Sequence, residues 1–113
     1  MDNTRQQKIS RQIQKDLGDI FIREAAQLMK GAMVTVTSVR ISPDLSYAKV
    51  YLSVFPFGRH EEVMASLEAN NRFIRKTLGG KIRNQMRIVP ELAFFLDDSF
   101  EYIDKIDNLL KEE

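Results

Sequence analysis

Between Val34 and Val54 the chain alternates apolar and polar side chains, and a Ser42-Pro43-Asp44-Leu45 turn divides the block in two. A period of two marks a strand with one buried face. Proline presets φ for a turn, and aspartate hydrogen-bonds its own backbone. The block therefore predicts an antiparallel hairpin. Val34 and Val36 share one phase, while Val39 and Ile41 are one residue out of it. That slip predicts a bulge near Thr37–Ser38. In the second strand Ala48, Val50, Leu52 and Val54 take one face, and Tyr47, Lys49, Tyr51 and Ser53 the other. Phe55-Pro56-Phe57-Gly58 ends it.

Both flanks of the hairpin carry a helical spacing instead. Ile9, Ile13, Leu17, Ile20, Phe21 and Leu28 recur every three or four residues, which predicts a helix from Thr4 to Met29. Asp2, Asn3 or Thr4 can cap its start. Gly31 is placed to stop it, and Gly18 suggests a close helix contact. After the hairpin, a helix starts near Glu61 with Val63, Leu67, Ile74, Leu78 and Ile82 as its apolar stripe. Asn70 and Asn71 interrupt that stripe. Asparagine tolerates the left-handed region and competes for backbone hydrogen bonds, so two helices meeting at a kink near 69–72 are expected. Gly79-Gly80 weakens the second of them. Met86 to Leu96 reads as a third strand, with Pro90 at its entry or on an edge and Leu92 to Leu96 as the paired, buried part. Asp98 and Glu101 resemble a capping box for a final helix bearing Ile103, Ile106, Leu109 and Leu110.

The predicted order is α-β-β-α-kink-α-β with a C-terminal helix, a two-layer α+β fold. A three-stranded sheet backed by helices, two of them meeting at a bend, is the layout of a KH domain. With 113 residues, a single KH-like domain over 1–113 is expected. No cysteine is present, which suits a reducing cytoplasm. No apolar run approaches the ~20 residues of a membrane span, and no apolar segment follows the N-terminus as a signal peptide would require.

Charge separates along the chain. Residues 1–90 hold 15 basic and 8 acidic side chains, net +7, and residues 91–113 hold 2 and 8, net −6. From Ala69 to Pro90 there is no acid, but Arg72, Arg75, Lys76, Lys81, Arg83 and Arg87 are all present. Arg72, Lys76 and Arg83 share one helical face, with Arg75 at its border. Solvated helix faces usually mix signs. A row of one sign matches the electrostatic footprint of a nucleic-acid binder, with cations following successive phosphates. Arg5, Lys8, Arg11 and Lys15 form a second row on the first helix; Asp19 partly offsets it and Asp16 lies beside it. The plainer reading is that the acidic end folds back on the basic part.

Other constellations carry less. Tyr47 and Tyr51, flanking Lys49, could stack on bases, or serve only cross-strand packing or lie under the last helix. His60 is the only histidine, and without a second His or any Cys it makes no metal site. Asp97-Asp98-Ser99 suggests a magnesium site, but Asp98 and Ser99 are explained as helix-start residues. Gly-rich phosphate loops, nucleophile elbows and paired carboxylates are all missing, so no catalytic residue, cofactor, metal or small-molecule substrate is expected.

Three segments resemble a known family. They are Val-Arg-Ile-Ser-Pro-Asp-Leu-Ser-Tyr-Ala-Lys-Val-Tyr (39–51), Phe-Ile-Arg-Lys-Thr-Leu-Gly (73–79) and Arg-Ile-Val-Pro-Glu-Leu-Ala-Phe-Phe-Leu-Asp-Asp-Ser (87–99). Together they resemble the ribosome-binding factor A family of bacteria over essentially the whole chain. The resemblance implies a KH-like fold and a cytoplasmic, monomeric, non-enzymatic assembly factor. Such a factor binds the free 30S subunit and assists maturation of 16S rRNA, including its 5′ end, chiefly in the cold. Two departures stand out. RNA-binding KH domains clamp the backbone with a Gly-x-x-Gly loop, which this chain lacks. The family usually has Ala-x-Gly at the kink, where this chain has Asn70-Asn71-Arg72, so the asparagines are expected to bend the helices by another route. Two alternatives stay open: a different RNA or DNA binder of KH-like fold, and a protein–protein adaptor whose basic face meets an acidic partner.

Overall fold

The chain is described by a computed structural model over residues 4–84 and 86–97. Helix α1 spans Thr4–Arg23 and buries Ile9, Ile13, Leu17, Ile20 and Phe21, the stripe read from the sequence. It stops short of Met29. The amides of Glu24 and Ala25 both donate to the Ile20 carbonyl, at 2.9 and 2.7 Å. Ala25 leaves helical geometry at φ −125°, ψ 25°, and Ala26–Met29 forms a separate 3-10 turn. The break lets Ala25 and Met29 turn into the core, so tertiary burial overrides a continuous helical pattern. Lys30 and Gly31 then take positive φ, 54° and 80°, and the chain reverses where the glycine was expected to stop it. Gly18 makes no close contact: nothing lies within 4 Å of where its Cβ would sit.

Strands β1 (Met33–Ile41) and β2 (Tyr47–Phe55) pair antiparallel, with the register shifting between Val36 and Ser38. The bulge is therefore at Thr37, as the phase slip predicts. It returns Val39 and Ile41 to the buried side alongside Val36. Two glutamines of α1 fasten the helix to this strand. Gln6 Nε2 donates to the Ile41 carbonyl at 3.1 Å, and Gln14 Nε2 to the Val36 carbonyl at the bulge, also at 3.1 Å.

In the hairpin turn, Asp44 Oδ1 accepts from the hydroxyls of Ser42 and Ser46 and from the Ser46 amide. The Ser42 hydroxyl first, then the Ser46 groups, hold the Asp44 carboxyl below its ordinary pKa. The stability this adds is fully present above the ordinary aspartate pKa and is lost as pH falls through the lowered one. Asp44→Asn is expected to flatten the acid limb of a stability–pH curve; an unchanged limb would show the turn carboxylate contributes nothing.

Helix α2 (His60–Ala69) and helix α3 (Asn71–Ile82) meet at Asn70. Asn70 sits in the bridge region at φ −111°, ψ 18°, not the left-handed one. Its side chain bonds back to the preceding turn. Asn70 Nδ2 donates to the Ser66 carbonyl at 2.8 Å, which also receives the Asn70 amide at 3.0 Å.

Strand β3 (Glu91–Leu96) lies parallel to β2, giving the sheet order β1-β2-β3. It starts at Glu91, so Met86–Pro90 stays outside the ladder and the paired part is close to the expected Leu92–Leu96. The first ladder bond on this side runs from the Glu91 amide to the Ser46 carbonyl at 2.9 Å, and Pro90 has no amide to extend it backwards. Residues 86–90 form an irregular lead-in. Buried residues from all three helices and all three strands join in one core cluster. Its members include Ile13, Leu17, Val50, Leu52, Leu67, Ile74 and Leu78, each 0% exposed, and Phe21 and Phe94, whose ring centroids lie 6.3 Å apart. The helices thus occupy one face of the sheet. The helix expected from Asp98 lies outside the described residues.

The two glycines of α3 differ in surroundings. A Cβ on Gly79 would come within 2.8 Å of Val89 Cγ2, whereas Gly80 has nothing within 4 Å. Gly80→Ala is expected to stabilise by about 0.5–1 kcal/mol through helix propensity. At Gly79→Ala the overpacking cost of about 1–3 kcal/mol outweighs that gain. Urea denaturation of the two variants checks the contrast; equal stabilisation would mean α3 does not need its close approach to Val89.

Candidate nucleic-acid interface

The acid-free stretch 69–90 becomes α3 and the lead-in to β3. Ile74, Leu78 and Ile82 bury one side of the helix. Arg72, Lys76 and Arg83 are all exposed. Arg83 is the C-cap and keeps helical geometry at φ −60°, ψ −23°, so it continues the row set by Arg72 and Lys76. None of the three has an ion-pair partner among the described residues. Phe73, beside Arg72, is 43% exposed.

Arg75 has a different position. Its Nε donates to the Pro90 carbonyl at 3.0 Å and its Nη2 to the Val89 carbonyl at 2.7 Å. One turn earlier, Asn71 Nδ2 donates to the Leu92 carbonyl at 3.0 Å. One turn later, Gly79 lets Val89 approach. Residues 71, 75 and 79 are four apart, so they form one stripe of α3, and that stripe clamps the start of β3. Asn71 therefore does more than mark the kink: it ties α3 to the sheet. Lys81 is also engaged, with Nζ 3.4 Å from Glu24 Oε1.

On α1, Arg5, Lys8, Arg11 and Lys15 are all exposed. Asp16, read as lying beside that row, is buried. Gln12 Nε2 donates to both its carboxylate oxygens at 3.0 Å, so it takes no place on the surface. The fold joins the two basic segments. Lys8 borders a cleft with Ile82 and Met86, and Arg5 and Arg87 border one shallow depression together with Asp44. Arg5 and Lys8 of α1 thus come together with the distant Arg87 near the C-terminal end of α3.

Tyr51 packs across the strands, its ring centroid 5.6 Å from that of Phe95 at 29°. The alternation did not show that Arg40 lies directly across from Lys49. The turn at Ser42–Leu45 carries that signal, because its position fixes which residues face each other. His60 Nδ1 lies 2.8 Å from the Phe57 carbonyl and its ring stacks on Phe57, a local packing role. Among the described residues, no group of three His, Cys, Asp or Glu side chains could hold a metal ion, and no helix is long and apolar enough to cross a membrane.

A three-stranded sheet backed on one face by helices, two of them meeting at a bend, defines a two-layer α+β fold. The family model described as "Ribosome-binding factor A" matches residues 5–110. The chain belongs to the ribosome-binding factor A family. It is 39% identical over 112 residues to the ribosome-binding factor A of Cytophaga hutchinsonii, covering 99% of this chain and 84% of that one. The crystal structure of ribosome-binding factor A from Thermus thermophilus superposes with a TM-score of 0.68 at 23% identity, covering 80% of this chain and 94% of that one. A second similar structure is the Thermus thermophilus homology model fitted into a cryo-electron microscopy map of a 30S–RbfA complex. Its TM-score is 0.62 at 27% identity, with 78% of this chain and 90% of that one covered.

Proposed function

We propose that this protein is a non-catalytic assembly factor of the small ribosomal subunit. It binds the free 30S particle in the cytoplasm, as a monomeric single domain, by neutralising phosphates of 16S rRNA. The observation that carries the reading is the exposed row Arg72, Lys76 and Arg83, unpaired among the described residues. Family membership and the 30S complex of a related protein support it. Arg87, Arg5 and Lys8 extend the surface around the end of α3, and Arg11 and Lys15 continue it along α1. Arginine engages phosphate as a planar fork and lysine as a point charge. Arg75 and Lys81 contribute less, because their charged groups already have partners within the fold.

Binding one rRNA arrangement better than its competitors shifts assembly toward that arrangement. Late maturation and 5′-end processing of 16S rRNA follow from holding the correct form. A greater need in the cold follows if misfolded rRNA escapes more slowly there. A deletion strain should therefore accumulate unprocessed 16S rRNA on cooling; normal processing in the cold would remove that part.

Sedimentation with separated subunits and intact ribosomes tests the main claim. The protein should travel with free 30S particles alone. With about five phosphates neutralised, log K should fall with log[salt] at a slope of roughly −3.5 to −4.5. A flat response, or binding that survives RNase, would favour an acidic protein partner instead.

A further inference from the structure

The sheet has a second face, opposite the helices. Arg40 and Lys49 are direct cross-strand partners there, and both are exposed. Like charges facing each other across an antiparallel pair repel unless an anion meets them. Neither makes an ion pair among the described residues. Two residues along β2 on the same face is Tyr51, stacked with Phe95 of β3. Phe95 remains 39% exposed. Ser38, Arg40, Lys49, Tyr51 and Asp97 line a shallow polar depression of about 470 Å³. Asp97 lines it too, its Oδ2 accepting from the Thr37 hydroxyl at 2.7 Å.

We propose that this second sheet face binds single-stranded RNA, with the exposed Arg40 and Lys49 on phosphates and a base stacked on the Tyr51–Phe95 pair. The choice of RNA rests on the function proposed above and on the rings beside the cations. An acidic peptide would use the charges and leave the rings idle, whereas a nucleotide uses both. A duplex keeps its base faces within its own stack, so only a single strand can offer one to the aromatic pair. The site lies across the sheet from α3 and is separate from the Arg72–Lys76 row.

The chain has three tyrosines and no tryptophan, so tyrosine emission reports stacking. Titration of the full chain with a 12-residue oligouridine should quench that emission. Arg40→Gln with Lys49→Gln should weaken binding roughly 25-fold at ~0.1 M salt and reduce the salt slope by about 1.4, the single-strand value for two phosphates. Tyr51→Leu, which keeps apolar cover against Phe95, should weaken it roughly tenfold with the slope unchanged. Urea midpoints establish that each variant is folded. Arg72→Glu with Lys76→Glu should keep oligouridine binding while losing 30S binding, so the two readings fail separately. Unchanged affinity in the sheet-face variants would overturn the site. Tighter binding of oligoglutamate than of oligouridine, dependent on Arg40 and Lys49 but not Tyr51, would assign the face to a protein partner.

Discussion

Arg72→Glu combined with Lys76→Glu should reduce binding to free 30S subunits by roughly 100- to 1,000-fold at ~0.1 M salt. Each phosphate contact contributes about 0.7–0.9 log units of affinity at that ionic strength through counterion release. Reversal removes two such contacts and adds repulsion of similar size. Both side chains are exposed and bond to nothing else among the described residues, so the fold should not change. Urea midpoints within about 0.5 kcal/mol of wild type are expected, as for other surface substitutions. Co-sedimentation read against the urea curve separates binding from stability. A folded double variant that still travels with 30S particles would remove α3 from the interface.

Arg75→Ala should show the opposite pattern: a stability loss of about 2–4 kcal/mol. The guanidinium donates to the carbonyls of Val89 and Pro90, and Pro90 is among the most deeply buried residues. Removing a charged donor leaves both carbonyls short of a partner, and such bonds contribute about 1.5–3 kcal/mol each before water compensates at the more open one. Lysine should restore little, because one ammonium cannot reproduce two donors fixed in a plane. Chemical denaturation of Arg75→Ala beside Lys76→Ala makes the comparison. If adjacent residues of the same charge prove equally dispensable for folding, the clamp between α3 and β3 has no energetic weight.

Neighbouring cations of one stretch thus divide between an outward row and an inward clamp, and composition cannot tell them apart. At the border of the apolar stripe, Arg75 faces either solvent or the next element, depending on where β3 starts. That start depends in turn on Pro90, which cannot extend the ladder. Lys81 is similar: its partner Glu24 lies just past the end of α1, and their 3.4 Å approach exists only once α1 and α3 pack. Asp16 lies beside the α1 row in the sequence, and only the fold buries it, with Gln12 donating to its carboxylate.

The hairpin, its bulge at Thr37, the two faces of β2, the broken helix at Asn70 and the outward placement of Arg72, Lys76 and Arg83 were fixed by local information. Period, phase and turn chemistry act over a few residues, and a short segment carries them whole. The early end of α1 was not local, because burial of Ala25 and Met29 decided it. Nor was the 71–75–79 clamp, nor the meeting of Arg5, Lys8 and Arg87 around the end of α3. Those features are contacts between segments far apart in the chain, which exist only when the helices pack on one face of the sheet.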